Sequence, residues 1–543
     1  MISFNNLPPD ILSIVAGILA TEHPPSLRAF STASKYCCDI ANTYRFWNIH
    51  FNVSREDRFL AAIQHWDTVL GNINAFPLVR RLSINSHPPS SSSNLEIKKN
   101  FPGEDDWTDI GRQYLPILST DLARFDHGEI NTWEPLAQFI WKLPGLQDLY
   151  WLTNIQFPPC LLEILHRDLP KCRLHMRAFT VSLKDHGHPE NLDPYEHALA
   201  TSPSLASIAC EFKKIEPDTL YNEGGVMQMA AGLAPNLTQL YIRYQAHYVP
   251  GLGFIPERPQ ARMLFSEPSE QKESRVRSLA LEDPTTRCLE AWKDHVEFSA
   301  LEVLQVHTVY NVHILDEMAK YTFTSLRTLV LNLDMRLRRA RQVNAIQLDT
   351  SASLFVSGLP PLESLLLTCH YTPECVYTAL KHHGLALRKL GLVYKIAKSP
   401  NISPSRLIPE IVEKIHNHCP NLRHLVLHIP WKMYSEAQVE SIYHALGKMR
   451  HLTDLTITLD FSGNKTEAEA EAEEENGDGD ISMSEKIDES YVRGIMTHVA
   501  GSGSLIACLT VVVADEEGIH NIWEVFRSAA GISVFKRKAW ESR

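Results

Sequence analysis

A chain of 543 residues, 44% hydrophobic and 21% charged, has the composition of a folded protein with enough apolar side chains for about two to four domains or one long repeat array. Its net charge of −12 is uneven: KTEAEAEAEEENGDGD at 465–480 holds eight carboxylates and one lysine, so the rest of the chain carries only −5. With a pI of about 6.1 and no Lys/Arg run, this balance argues against nucleic acid or an anionic membrane as partner.

The first elements lie in MISFNNLPPDILSIVAGILATEHPPSLRAFSTASKYCCDIANTYRFWNIHF. Pro8 and Pro9 suit a first helical turn, where the missing amide donors have no intrahelical acceptor anyway. Ile11, Leu12, Val15, Ile18 and Leu19 succeed them at helical spacing as one apolar stripe. After EHPP a second periodic segment carries Leu27, Phe30 and Ala33. Ser34 then caps a third, with Cys37, Cys38, Ile40, Ala41 and Tyr44. Three short helices in about fifty residues cannot bury a core unaided. ILSIVAGILA, at 11–20, is too short to span a bilayer and lacks the flanks of a signal peptide, and no other run of about 20 apolar residues occurs.

The order LPPDIL, apolar helix, Leu-rich second helix, Ser34-Lys35 step and final Phe46-Trp47 resembles the F-box, the module by which substrate receptors dock on the Skp-type adaptor of cullin-based ubiquitin ligases. The resemblance covers residues 4 to about 51. It departs at Cys37, where many F-boxes carry Trp, and at the EHPP linker. It implies that Leu7, Pro8, Ile11, Leu12 and Val15 face the adaptor, while Leu27, Phe30, Ile40 and Trp47 hold the helices or complete the contact. The alternative is that the same stripe is simply the first helix of a larger domain. REDRFLAAIQHWDTVLGNINAF then reads as a helix joining this module to the remainder of the chain.

From residue 76 onward one phrase returns: apolar, two polar, apolar, any, apolar. It reads LRTLVL at 326, LESLLL at 362, LRKLGL at 387, LRHLVL at 422 and LTDLTI at 452. Looser copies are VRRLSI at 79, LARFDH at 122, LQDLYW at 146, MRAFTV at 176, LASIAC at 205, LTQLYI at 237, VRSLAL at 276, LEVLQV at 301 and IACLTV at 506. Successive starts lie 24 to 54 residues apart. The fourth and sixth positions point inward as in a short strand, and the remainder must return across the other face. Helical spacing appears there, as in RLIPEIVEKIHNH and SEAQVESIYHALGKM, and Pro-containing turns precede several strands: SPSL, APNL, LPPL and CPNL.

These copies resemble the leucine-rich repeat family in its helix-strand form, whose period is about 20 to 29 residues. The family's Asn or Cys beyond the strand is mostly missing, as at Asp334 and Pro430, which implies irregular repeats. An ordinary parallel α/β domain uses the same alternation. The expected architecture is α/β: a three-helix F-box at 1–53, a linker helix at 54–75, an irregular leucine-rich-repeat solenoid at 76–530 and a C-terminal tail at 531–543. Insertions fall near 87–106, 250–274 and 462–484, in stretches of loop composition.

No phosphate-binding or dinucleotide loop and no nucleophile elbow is present, so neither an enzyme nor a cofactor is expected. His186, His188 and His197, and His416, His418 and Cys419, lack metal-ligand spacing, and no metal is expected. Ten cysteines without a CxxC read as reduced thiols, which places the chain in the cytoplasm or nucleus. Strand positions facing away from the core offer Tyr150, Tyr241, Arg327, Arg388 and Arg423 as anchors for a protein substrate. The resemblance implies a non-catalytic substrate receptor that binds a Skp-type adaptor and through it a cullin. The second reading is a repeat scaffold outside ubiquitination, and the exposure of Ile11, Leu12 and Val15 separates the two.

Overall fold

The computed structural model describes residues 7–22, 24–53, 55–85, 133–153, 155–177, 179, 193–212, 217–244, 248–249, 253–254, 274–307, 309, 312–333, 345–369, 371, 373–394, 408–431, 434–461, 487–500, 505–515, 518–528 and 531–538. The chain divides into two compact units, the first from Met1–Ser90, Thr120–Leu240 and Pro259–Arg275, the second from Ser91–Ser119, Tyr241–Arg258 and Val276–Arg543.

The first unit opens with three helices, α1 (Pro9–Glu22), α2 (Pro24–Ser31) and α3 (Lys35–Arg45). The Pro8 carbonyl accepts the amides of Ile11 and Leu12 at 3.1 and 3.2 Å, so the prolines occupy the turn that needs no donors. Ser34 caps α3, its hydroxyl accepting from the Cys37 amide at 3.1 Å. Leu12, Ala16, Leu27, Phe30, Cys37 and Ala41 close a core among the three helices, with Leu7, Val15, Leu19 and Ile40 packed at its margin.

From α3 the chain runs directly into a sheet. β1 (Asn48–Asn52), β2 (Arg81–Asn85), β3 (Asp148–Leu152), β4 (Arg173–Met176) and β5 (Leu205–Phe212) pair in parallel, each with the next. Between them return α4 (Glu56–Asn72), α5 (Glu134–Trp141), α6 (Pro159–Arg167) and α7 (Pro194–Ala200), the crossovers that parallel pairing demands. α4 lies within the segment read as a linker helix. β1 is a correction to the expected boundaries. FWNIHF at 46–51 is itself a copy of the repeat phrase, with Phe46, Ile49 and Phe51 buried, so the strand array begins inside the segment assigned to the helical module. β4 ends where MRAFTV was expected to begin a strand. LARFDH lies outside the described residues.

After α8 (Pro217–Gln228) and β6 (Gln239–Tyr244), the second unit carries a two-stranded ribbon, β7 (Tyr248–Val249) and β8 (Gly253–Phe254). Its parallel strands are β9 (Ser278–Glu282), β10 (Val303–His307), β11 (Thr328–Leu333), β12 (Ser364–Cys369), β13 (Lys389–Tyr394), β14 (His424–Pro430), β15 (Asp454–Asp460) and β16 (Cys508–Asp515). Helices alternate with them: α9 (Thr286–Lys293), α10 (Val312–Met318), α11 (Ala345–Ser357), α12 (Pro373–His383), α13 (Ile408–His418), α14 (Glu436–Gly447) and α15 (Glu489–Ala500). The fourth and sixth positions of the phrase, such as Leu329 with Leu331 and Leu365 with Leu367, are fully buried. Each such leucine contributes about 1.5–3 kcal/mol of burial. The insertions at 87–106 and 462–484 lie outside the described residues, as does most of 250–274 and Asp334.

The expected tail is the second correction. β17 (Gly518–Ser528) and β18 (Gly531–Lys538) turn back antiparallel on β16, placing Trp523 opposite Val511 and Val525 opposite Leu509. Neither strand carries the repeat phrase, because an antiparallel ribbon needs no crossover and no turn of the Pro-Asn-Leu kind.

Backbone bonds show how neighbouring repeats are stitched. In many of the repeats one carbonyl just before a strand accepts two consecutive amides at the entrance of the next. The Glu302 carbonyl accepts from Arg327 and Thr328, that of Arg327 from Glu363 and Ser364, that of Glu363 from Arg388 and Lys389, and that of Arg388 from Arg423 and His424, all within 3.1 Å. The Trp47 carbonyl plays the same part for Arg80 and Arg81, at 3.0 and 2.9 Å. Asparagines of the turns clip one repeat to the one before: Asn236 Nδ2 donates to the Pro203 carbonyl at 2.7 Å and Asn421 Nδ2 to that of Leu385 at 2.8 Å.

Candidate functional site

Two surfaces hold the residues singled out from the sequence. The first is the outer face of α1. Because Leu12 and Ala16 turn inward, helical spacing leaves Ile11, Ile14 and Ile18 outside, at 44%, 58% and 55% exposure. Leu12 was expected on the docking face and is fully buried; α1 is apolar on nearly every side, so periodicity could not choose its inner face. Ile14, absent from the expected stripe, is the most exposed of the three isoleucines. Pro8 is exposed, and Leu7, Val15 and Ile40 are half-buried. Leu27 and Phe30 hold the helices together from inside the core. Trp47 is 39% exposed and stacks on Tyr44 at 6.2 Å, while its neighbour Phe46 meets Trp66 of α4 edge-on.

The second surface is the face of the strands opposite the inward leucines. In the first unit it carries a polar ladder. Arg81, Asp148 and Arg173 share one row, and Ser83, Tyr150, His175 and Ser207 the next. Asp148 Oδ1 accepts from Arg173 Nε at 2.7 Å and from His175 Nε2 at 3.1 Å; the Ser207 hydroxyl donates to His175 Nδ1 at 2.7 Å. Burial alone would raise the Asp148 carboxyl, but the hydrogen bonds from His175 and Arg173 outweigh it and hold the group below the ordinary carboxylate value. Burial keeps His175 neutral by lowering its pKa against the pull of Asp148. Tyr150 is sandwiched: His175 stacks on it at 4.3 Å and 14°, and Arg81 Cζ lies 5.0 Å from its centroid. It is 5% exposed, a prop for its neighbours rather than the free anchor expected.

Ser207, His175 and Asp148 have the composition of a nucleophilic triad. Ser207 is only 1% exposed in the middle of a paired strand. A substrate carbonyl has no room there, and amides committed to strand pairing offer it no oxyanion hole. The three act as a cross-strand polar ladder.

The second unit places its predicted anchors differently. Tyr241 is 1% exposed, and its hydroxyl donates to Glu282, which also faces Arg243. Burial raises its pKa well above the ordinary value, with the Glu282 charge adding to the effect. Arg327, Arg388 and Arg423 are exposed but stand one residue before β11, β13 and β14, at the strand entrances rather than on the sheet face. Glu302 and Glu363 occupy the equivalent positions, and Arg327 Nη1 pairs with Glu363 at 3.3 Å. The arginines therefore belong to a mixed-charge edge. On the face itself Val330, Leu366, Val393 and Val426 form a buried apolar cluster, where outward-facing residues were expected. Two His–Asp pairs stand beside it, His428 with Asp460 at 3.0 Å and His424 with Asp454 at 3.1 Å.

Among the described residues no group of three His, Cys, Asp or Glu side chains gathers to hold a metal ion. His186 and His188 lie outside those residues. All ten cysteines are free thiols, and burial pushes Cys172, Cys210, Cys375 and Cys419 up to about 12. No helix among the described residues is long and apolar enough to cross a membrane.

No protein family model matches the chain. No curated protein matches it either. Among solved structures it is similar to the leucine-rich repeat-containing protein LegL7 from Legionella pneumophila, with 11% identity, coverage of 45% of this chain and 84% of that one, and a TM-score of 0.23. A likeness of that degree bears no weight, and the alternation of strands and helices stands on its own geometry.

Proposed function

We propose that this chain is a non-catalytic substrate receptor of a Skp/cullin/F-box ubiquitin ligase, acting in the cytoplasm or nucleus. The outer face of α1 docks the adaptor, and the strand face opposite the inward leucines receives a protein substrate. The observation that carries this reading is the row Ile11, Ile14, Ile18. Three large aliphatic side chains lie in line on a module whose own core is already closed by Leu12, Ala16, Leu27 and Phe30. A contiguous exposed apolar row marks a partner site. No bond chemistry is required of the receptor; its contribution is the effective concentration of the substrate near the ubiquitin-loaded enzyme.

The competing reading is a scaffold in which the three helices only cover the first strand. The Trp47 carbonyl bond to β2 and the Phe46–Trp66 contact favour that role for the base of the module, but they do not engage the outer row of α1. Capture of a Skp-type adaptor by the full chain separates the two. The triple variant Ile11→Glu, Ile14→Glu, Ile18→Glu is expected to lose adaptor at least a hundredfold while its melting temperature stays within a few degrees of the parent, since surface substitutions change stability little. Adaptor retained by the folded variant, or never bound by the parent, would sink the ligase reading and leave the scaffold.

A further inference from the structure

Among the described residues, one guanidinium on the ladder of the first unit has no counter-charge. Arg81 stands beside Asp148 in strand register, yet Asp148 pairs through Oδ1 with Arg173, which balances its charge, and with His175, and the Arg81 side chain lies over Tyr150 instead. Its Nε is buried without an acceptor. On β1 the neighbours sharing this face, Asn48 opposite Arg81 and His50 opposite Ser83, bring no negative charge. The cation–π contact, Cζ 5.0 Å from the Tyr150 centroid, holds the guanidinium over the ring, so its fork is less mobile than that of a free side chain.

We propose that Arg81 is the anchor of a docking site for an acidic, extended peptide of a partner protein, its fork receiving one Asp or Glu carboxylate. This rests on the reading that the strand face receives a substrate, and it names that substrate's chemistry. One unneutralised guanidinium matches one carboxylate. A phosphate dianion asks for a second cation, and Arg173 is already engaged by Asp148. Tyr150 serves as the positioning residue, because its ring holds the fork.

The test is fluorescence anisotropy of the full-length protein with a short fluorescein-labelled oligoglutamate peptide at low ionic strength. The parent is expected to bind, with Arg81→Leu weakening affinity about tenfold, as befits one charge-assisted bidentate contact. Arg450→Leu, which removes the same charge from an exposed turn, should leave affinity unchanged. Arg81→Gln serves as the second variant if Arg81→Leu melts early. Equal losses in Arg81→Leu and Arg450→Leu, no binding by the parent, or displacement of the peptide by inorganic phosphate at lower concentration than by glutamate would each overturn the proposal. Adaptor capture through α1, measured on the same Arg81→Leu protein, stays at the parental level, which separates failure here from failure of the ligase reading.

Discussion

At the scale of single residues, the most consequential groups are polar side chains held neutral in the interior. His383 is 1% exposed. Its Nδ1 accepts from the Leu362 amide at 3.3 Å and its Nε2 donates to the Val356 carbonyl at 2.9 Å, an arrangement only the neutral ring satisfies. Burial lowers its pKa, against the Val356 bond and with the help of His382. The unfolded chain therefore takes up a proton near the ordinary value of 6.5 while the folded chain does so only at lower pH. Folding is favoured above 6.5, and that stability is lost as pH falls from there towards the folded pKa. His383→Gln is expected to cost about 1–3 kcal/mol at neutral pH and to flatten the pH dependence of urea midpoints below 6.5. An unaltered slope would assign the effect to the other histidines whose pKa burial lowers, His50, His166, His175 and His295. None of this is visible from spacing: HHG at 382–384 reads as a helix end rich in polar residues. Leu12 and Ile14 show the same limit, since neighbours of equal hydrophobicity on an all-apolar helix declare no inner side.

At the scale of elements, the turns carry more specificity than the helices. CPNL at 419–422 is legible as a stop signal through its proline, but the asparagine's part, reaching back to the Leu385 carbonyl, depends on a residue 36 positions away and has no local signature. Gly384 lies at the same junction. A Cβ there would sit 2.4 Å from the Leu380 carbonyl oxygen and 2.5 Å from that of His418, so two backbone segments meet over it. Gly384→Ala should destabilise by about 1–3 kcal/mol through overpacking. Asn421→Ala should cost about 0.5–1.5 kcal/mol through one lost hydrogen bond. Denaturant titration would rank them, and a smaller effect at Gly384 would mean that the junction yields easily. The strand leucines were legible because burial on one face imposes the phrase at every repeat. The outward positions were not, because the sequence does not reveal that Val330, Leu366 and Val426 are themselves covered.

At the scale of the whole molecule, the strands within each unit pair with their neighbours in chain order, so stability accrues repeat by repeat inside the unit. Such an array needs finished ends. At the C-terminal side β17 and β18 cover the edge of β16, and Trp523 and Val525 enter the core. A chain ended at Asp515 is expected to self-associate on concentration, read by light scattering; a monodisperse truncated chain would show the ribbon to be dispensable. In the first unit the junction between helices and strands is short, with Trp47 lying between α3 and β1. Trp47 closes the helical module and, through its carbonyl, also sets the entrance of β2. Whatever grips the isoleucines of α1 is thereby held at a set bearing to the ladder of Arg81, Tyr150 and His175. The two behave as ends of a stiff lever, not as baits on a tether. Under the ligase reading, the choice among a substrate's lysines then falls to aim: those within the swing of a clamped arm are modified, and those beyond it are passed over however long the complex lasts.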